Sequence, residues 1–167
     1  MIELKIFTNS DYDRLINWID SEHLMHVFSA KAFSFPITHS QLNEYISHPN
    51  RVVYKVIDKN SKEIIGHAEL NSINKTNKSA RICRLLVGNS TDRNKGYGSL
   101  IINELIRIGF NEMNLHRIDL GVYDFNVNAI KCYQKCGFEV EGLLKENTKI
   151  GNEYWSTYNM SILNKKL

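Results

Sequence analysis

Cysteine is scarce: the 167-residue chain holds only Cys83, Cys132 and Cys136. An odd number without further His or Cys at metal-ligand spacing excludes a disulfide framework and a zinc module, and no metal is expected. Cys132 and Cys136 stand four apart in an expected helix, so they share a face and read as small buried hydrophobes. No run of eighteen apolar residues occurs, which excludes a hydrophobic membrane-spanning helix. Residues Met1-Ile2-Glu3-Leu4-Lys5 contain no basic stretch leading into an apolar one, so no secretory signal is read and a cytoplasmic protein is expected. There is no dense Lys/Arg run with interleaved aromatics, so nucleic-acid binding has no support. Repeats, low-complexity segments and linkers are also missing. The expectation is one domain over 1–167 with its own core.

What is present is ordinary for a globular chain: 43% hydrophobic and 23% charged residues. The formal net charge of +3 is unevenly spread. The first fifty residues hold Glu3, Asp11, Asp13, Asp20, Glu22 and Glu44 against Lys5, Arg14 and Lys31, so the remainder is basic. A basic half suits a polyanionic ligand and an acidic half could attract a cationic one; solvated surface explains the same split equally well.

Apolar alternation predicts strands over 2–7, 51–58, 63–73, 80–87, 117–123, 138–149 and 153–163. Helical spacing predicts helices after the caps at 8–11 and 38–40, over 99–114, and over 128–136 before Gly137. The segment 23–35 mixes both patterns. The strand–helix–strand unit over 80–123 implies a parallel, right-handed crossover. The other strands have hairpin character. A mixed α/β sheet with helices on both faces follows.

The junction of strand 80–87 with the next helix reads Arg93-Asn94-Lys95-Gly96-Tyr97-Gly98-Ser99. Glycines at i and i+2 let the backbone turn tightly with its N–H groups uncovered. A helix N-terminus adds free N–H groups and a partial positive charge. Arg93 and Lys95 add full charges. The product is a cradle for a phosphate or pyrophosphate. A P-loop would need glycines farther apart and a following Lys-Ser/Thr, and a Rossmann turn would need a third glycine.

A second motif lies downstream: Asn126-Val127-Asn128-Ala129-Ile130-Lys131-Cys132-Tyr133-Gln134-Lys135-Cys136-Gly137-Phe138. Together, Arg-x-x-Gly-x-Gly and Asn-x-x-Ala-Ile-x-x-Tyr-x-Lys-x-Gly-Phe resemble the GCN5-related N-acetyltransferases (GNAT), from about residue 64 onward. Leu115-His116-Arg117-Ile118 and Glu141-Gly142-Leu143-Leu144 resemble the branch with ribosomal-protein N-terminal and spermidine N-acetyltransferases. The run Gly88-Asn89-Ser90-Thr91-Asp92 departs from the pattern: it is a residue longer than usual and carries neither the proline nor the aromatic common there.

The resemblance implies an α/β (α+β) fold with a mostly antiparallel central sheet, a splayed parallel strand pair and helices on both faces. It implies acetyl transfer from acetyl-CoA to an amine in a ternary complex, the acceptor being a small-molecule amine or a protein N-terminus. The loop from Arg93 and Asn94 through Lys95, Gly96, Tyr97, Gly98 and Ser99 is then the pyrophosphate site. Leu85, Leu86 and Val87 offer backbone to the pantetheine arm and N–H groups to the oxyanion. Asn126 is a contact to that arm, or alternatively a helix cap. Tyr133 is the general acid for the thiolate, or alternatively a core aromatic. Glu69 is the first candidate base, with His67, His26, Asp119 or a water chain open. A non-catalytic acetyl-CoA sensor and an unrelated nucleotide-binding domain are the rival readings. Edge strands near the C-terminus could pair two copies.

Overall fold

A computed structural model describes residues 1–92 and 95–165. Seven strands form one sheet: β1 (Ile2–Ile6), β2 (Val52–Asp58), β3 (Ile64–Asn74), β4 (Ser79–Val87), β5 (Arg117–Tyr123), β6 (Glu139–Ile150) and β7 (Glu153–Leu163), in the order β1-β2-β3-β4-β5-β7-β6. Every neighbouring pair is antiparallel except β4 with β5. The expected mixed, mostly antiparallel sheet with one parallel pair is what the chain forms.

Helices cover both faces. α1 (Tyr12–Trp18), α2 (Glu22–Ser29) and α3 (His39–Ser47) pack on one face, where Leu15, Met25, Phe28, Leu42 and Tyr45 meet Val53 and Leu86. α4 (Tyr97–Arg107) and α5 (Val127–Lys135) cover the other, where Ile101, Ile102 and Leu105 meet Val56, Ile82 and Ile118. The ambiguous segment 23–35 resolves as α2 as far as Ser29 and as turns and bends from Ala30 on. Ser21 starts it by accepting a hydrogen bond from Leu24 N at 3.2 Å, and Thr38 starts α3 by accepting one from Gln41 N at 3.3 Å.

The predicted helix over 99–114 ends sooner. α4 gives way to a π-helical turn at Ile108–Glu112. Gly109 lies there, and a Cβ on it would come within 2.7 Å of Ile118 Cδ1, so the absent side chain lets the turn approach β5. The outer strand β6 is solvent-exposed along most of its length, with Val140, Leu143 and Leu144 showing apolar surface. Among the described residues, no helix is long and apolar enough to cross a membrane.

Candidate active site

β4 and β5 pair over four residues only, from Ser79 with Arg117 to Ile82 with Leu120. Beyond that point they diverge, and β4 keeps its other partner, with Leu86 opposite His67 and Val87 opposite Gly66 on β3. The β4 edge facing β5 therefore has no strand partner beyond Ile82. A register shift between His67 and Glu69 and a left-handed Arg84 (φ +48°) make a bulge beside the divergence.

The divergence opens into a cavity of about 600 Å³. Leu85, Leu86 and Val87 line one side, Gly96, Gly98 and Ser99 the start of α4, and Asn126, Cys132 and Tyr133 the α5 side. α2 contributes Leu24, Val27, Phe28, Ser29 and Ala30. At that end His23 of α2 meets Trp155 edge-on at 5.5 Å, and Trp155 packs on Tyr123 and Phe125 at 4.9 and 5.0 Å.

The glycine turn fits an anion. Gly96 is left-handed (φ +84°), the position before α4, and a Cβ there would enter open space. The N–H groups of Tyr97, Gly98 and Ser99 begin the helix and have no intrahelical acceptor, while Leu100 N already bonds to Gly96 O at 3.3 Å. The expected side-chain charges are placed otherwise. Lys95 Nζ lies 3.0 Å from Asp92 Oδ1, and Tyr97 donates to Asp58 Oδ2 at 2.5 Å, so both side chains turn from the cavity. Arg93 and Asn94 lie outside the described residues.

Asn126 does two things at once: its side chain accepts from Ala129 N at 3.4 Å, capping α5, and it lines the cavity. Tyr133 sits two turns further on, against Phe138 at 5.9 Å. Burial, and then the neighbouring Cys132, Cys83 and Cys136 thiols, push its phenol well above the usual tyrosine range. Its proton is held throughout the physiological range.

Glu69 is fully buried and does not line the cavity. Arg84 Nη1 donates to both its oxygens at 2.7 and 2.8 Å, Tyr45 Oη donates to Oε2, and Arg51 Nε stands 2.9 Å from Oε1 as an ion pair without hydrogen-bond alignment. A general base needs a free lone pair facing the amine. This carboxylate is an anchor for Arg84 instead. His67 is buried beside it, with Nδ1 2.8 Å from Arg84 O and its ring edge-on to Phe7 and Phe28.

The acids of the N-terminal half do not reach the cavity. Asp11 is buried and taken by Arg14 at 2.8 Å and Lys55 at 3.0 Å, and none of the others lines the walls. Sequence reading missed Arg84, Tyr123, Cys132 and Thr148, all of which line the cavity. For Cys132 the signal was legible: Ala129, Cys132 and Tyr133 share one helical face. Nothing local marks Arg84, whose position depends on the β3–β4 register.

A family model described as an acetyltransferase (GNAT) domain matches residues 4–158. The spermidine N(1)-acetyltransferase of Vibrio cholerae is 28% identical over 166 residues, covering 99% of this chain and 94% of that protein. A crystal structure of the Vibrio cholerae spermidine N-acetyltransferase with CoA and spermine superposes with a TM-score of 0.85 at 28% identity, covering 99% of this chain and 96% of that one. A dodecameric structure of the same kind of enzyme from that organism gives a TM-score of 0.77 at 25% identity, over 99% and 95%.

Burial holds His67 at a pKa of about 4, against 6.5 for an ordinary histidine, with the nearby Arg84 charge adding to the effect and its hydrogen bond to Arg84 O and the Glu69 and Asp11 charges opposing it. The unfolded chain therefore binds one more proton than the folded chain between those values, so this contribution is complete above pH 6.5 and is lost as pH falls toward 4. The loss should reach roughly 3 kcal/mol. Urea unfolding of the parent and of His67→Gln from pH 7.5 to 4 checks this: the parent's stability should fall more steeply with acid than the variant's, and parallel curves would show that His67 is not the titrating group.

Proposed function

The chain belongs to the GNAT acetyltransferase family and is an acyl-CoA-dependent N-acetyltransferase, and we propose that it acetylates a primary amine by direct attack in a ternary complex, with 1–167 acting as one catalytic domain. The observation that carries this reading is Tyr133, a phenol that keeps its proton, on the wall of the cavity between diverging β4 and β5. Acetyl-CoA supplies the acyl group as a thioester.

The uncapped N–H groups of Tyr97, Gly98 and Ser99, with the open backbone at Gly96, bind its pyrophosphate. Arg93, Asn94 and Lys95 extend the same loop as the proposed phosphate site. The stretch of β4 beyond its pairing with β5, at Leu85, Leu86 and Val87, orients the pantetheine arm and offers N–H groups to the oxygen that gains charge. Asn126, fixed by its cap, borders the same arm. Tyr133 donates to the departing sulfur. Its raised pKa makes complete proton transfer less favourable than an ordinary phenol's would be, so its contribution is a strengthening hydrogen bond as negative charge collects there. Glu69 serves from behind the wall by holding Arg84, and water takes the amine's proton.

We also propose that the chain self-associates through β6. That strand is a long exposed edge with three apolar side chains outward, and the Vibrio cholerae relative is known as a dodecamer.

Gly96→Glu should fill the cradle and set a negative charge against the phosphate. Acetyl-CoA binding by calorimetry should be abolished; unchanged affinity removes the turn from the site. Tyr133→Phe keeps the ring and its packing. It should bind acetyl-CoA nearly as the parent does and lose about 10²–10⁴-fold in single-turnover rate. A parental rate would make Tyr133 a core aromatic. Light scattering should give a mass above that of one chain, reduced by Leu144→Lys; a monomer at every concentration ends the proposal for β6.

A further inference from the structure

The wall that receives the amine has an unusual charge inventory. The charged side chains lining the cavity are Arg81 and Arg84, and among the described residues no carboxylate lines it. Arg81 is matched by Asp119. Arg84 belongs to the buried group in which two guanidinium ions, Arg51 and Arg84, share one carboxylate, Glu69. Tyr45 cannot supply a second anion, since burial and then the Glu69 charge raise its phenol well above the usual range. His67 is neutral, and Asp11 is spent on Arg14 and Lys55. The group holds one positive charge without a partner.

Two buried donors without a hydrogen-bond partner belong to residues that line the cavity. Arg84 Nε is buried and makes no hydrogen bond, on a side chain only 10% exposed. Its guanidinium is kept in place over the rings of Tyr45 and Phe33, at 5.2 and 5.8 Å, and by both oxygens of Glu69. Tyr123 Oη is also buried without an aligned partner, with Thr148 beside it. A buried donor left unpaired is costly, and a buried cation more so. The opposite wall, from α2, is largely apolar: Leu24, Val27, Phe28 and Ala30.

We infer that the acceptor is a primary amine that also carries a carboxylate, with an apolar body between or beside them. Arg84 draws the carboxylate through its uncompensated charge, with Nε–H as the donor left without a partner, Tyr123 is a second donor on a lining residue, and the α2 wall covers the apolar part. A polyamine is disfavoured: its ammonium groups would meet the surplus positive charge of the Arg51, Arg84 and Glu69 group, with no carboxylate among the described lining residues to offset it. The inference rests on the acetyl-transfer reading above.

Matched amines that differ only in the carboxylate test it: leucine against 3-methylbutylamine, and 6-aminohexanoate against pentylamine, with spermidine as the polycation. Thiol release from acetyl-CoA should favour at least one carboxylated member over its twin by about tenfold to a hundredfold in kcat/KM, the range for a charge-assisted hydrogen bond, with spermidine poorest. The N-acetylated products remove differences in amine basicity. In calorimetry with free CoA present, N-acetyl-leucine should bind tighter than N-acetyl-3-methylbutylamine by a similar factor. Arg84→Lys keeps a cation for Glu69 but loses the planar fork, and should shrink both preferences. Turnover of spermidine or of the carboxylate-free twins in preference, or equal binding of the two products, overturns the inference and leaves acetyl transfer standing. Binding of acetyl-CoA with no turnover on any amine overturns the acetyl-transfer reading as well.

Discussion

A sheet can stay continuous only while neighbouring strands exchange hydrogen bonds, and here that exchange stops at Ile82 and Leu120. Everything at the site follows from the interruption. Beyond it β4 has no strand on its β5 side, so a ligand can lie along that edge. The gap is wide enough for a cavity, yet β4 does not fray, because β3 holds its other edge. α4 is the next α-helix after β4, across residues 88–96, and α5 follows β5 across 124–126, and the N-terminal ends of both helices line the opening. The glycine turn, the cap residue Asn126 and Tyr133 converge because the two strands that carry those helices part.

The second constraint is electrostatic. Fully burying Glu69 and His67 under α2 and α3 would be costly if either were left unmatched. Arg84 resolves both at once: its side chain binds Glu69 and its carbonyl lies within hydrogen-bond distance of His67. To do so it takes a left-handed backbone conformation, with a cost of order 1–3 kcal/mol for a non-glycine residue. The bulge is therefore bound to the ion cluster, and the ion cluster fixes one wall of the cavity. The proposed acceptor preference and the packing of the N-terminal helices thus depend on the same side chain.

Much of this was legible in the residues. Period-two alternation gave the seven strands to within a residue or two, and the caps at Thr38 and Asn126 are local hydrogen-bonding chemistry that needs no tertiary partner. Gly-x-Gly between a strand and a helix marked, for the same reason, the turn proposed to hold the pyrophosphate. Less legible was the direction of side chains near that cradle. Lys95 and Tyr97 stand beside the glycines in sequence, but Asp92 and Asp58 claim them. Glu69 looked available as a base because its partners, Tyr45, Arg51 and Arg84, come from three other elements. The acidic bias of the first fifty residues likewise suggested a cationic acceptor, while the pairing of Asp11 with Lys55 across 44 positions of sequence cancels part of it inside the fold.

By itself, the sequence determined the elements, their order, the parallel crossover and the two loop-and-helix motifs, because capping, turning and periodic burial are decided over a few neighbouring residues. Only the tertiary structure decided where β4 and β5 part, which charges remain uncompensated, and what faces the acceptor. Those outcomes depend on strand register and on ion pairs between distant segments. A one-residue shift of β3 against β4 would turn Glu69 away from Arg84 without changing any local pattern.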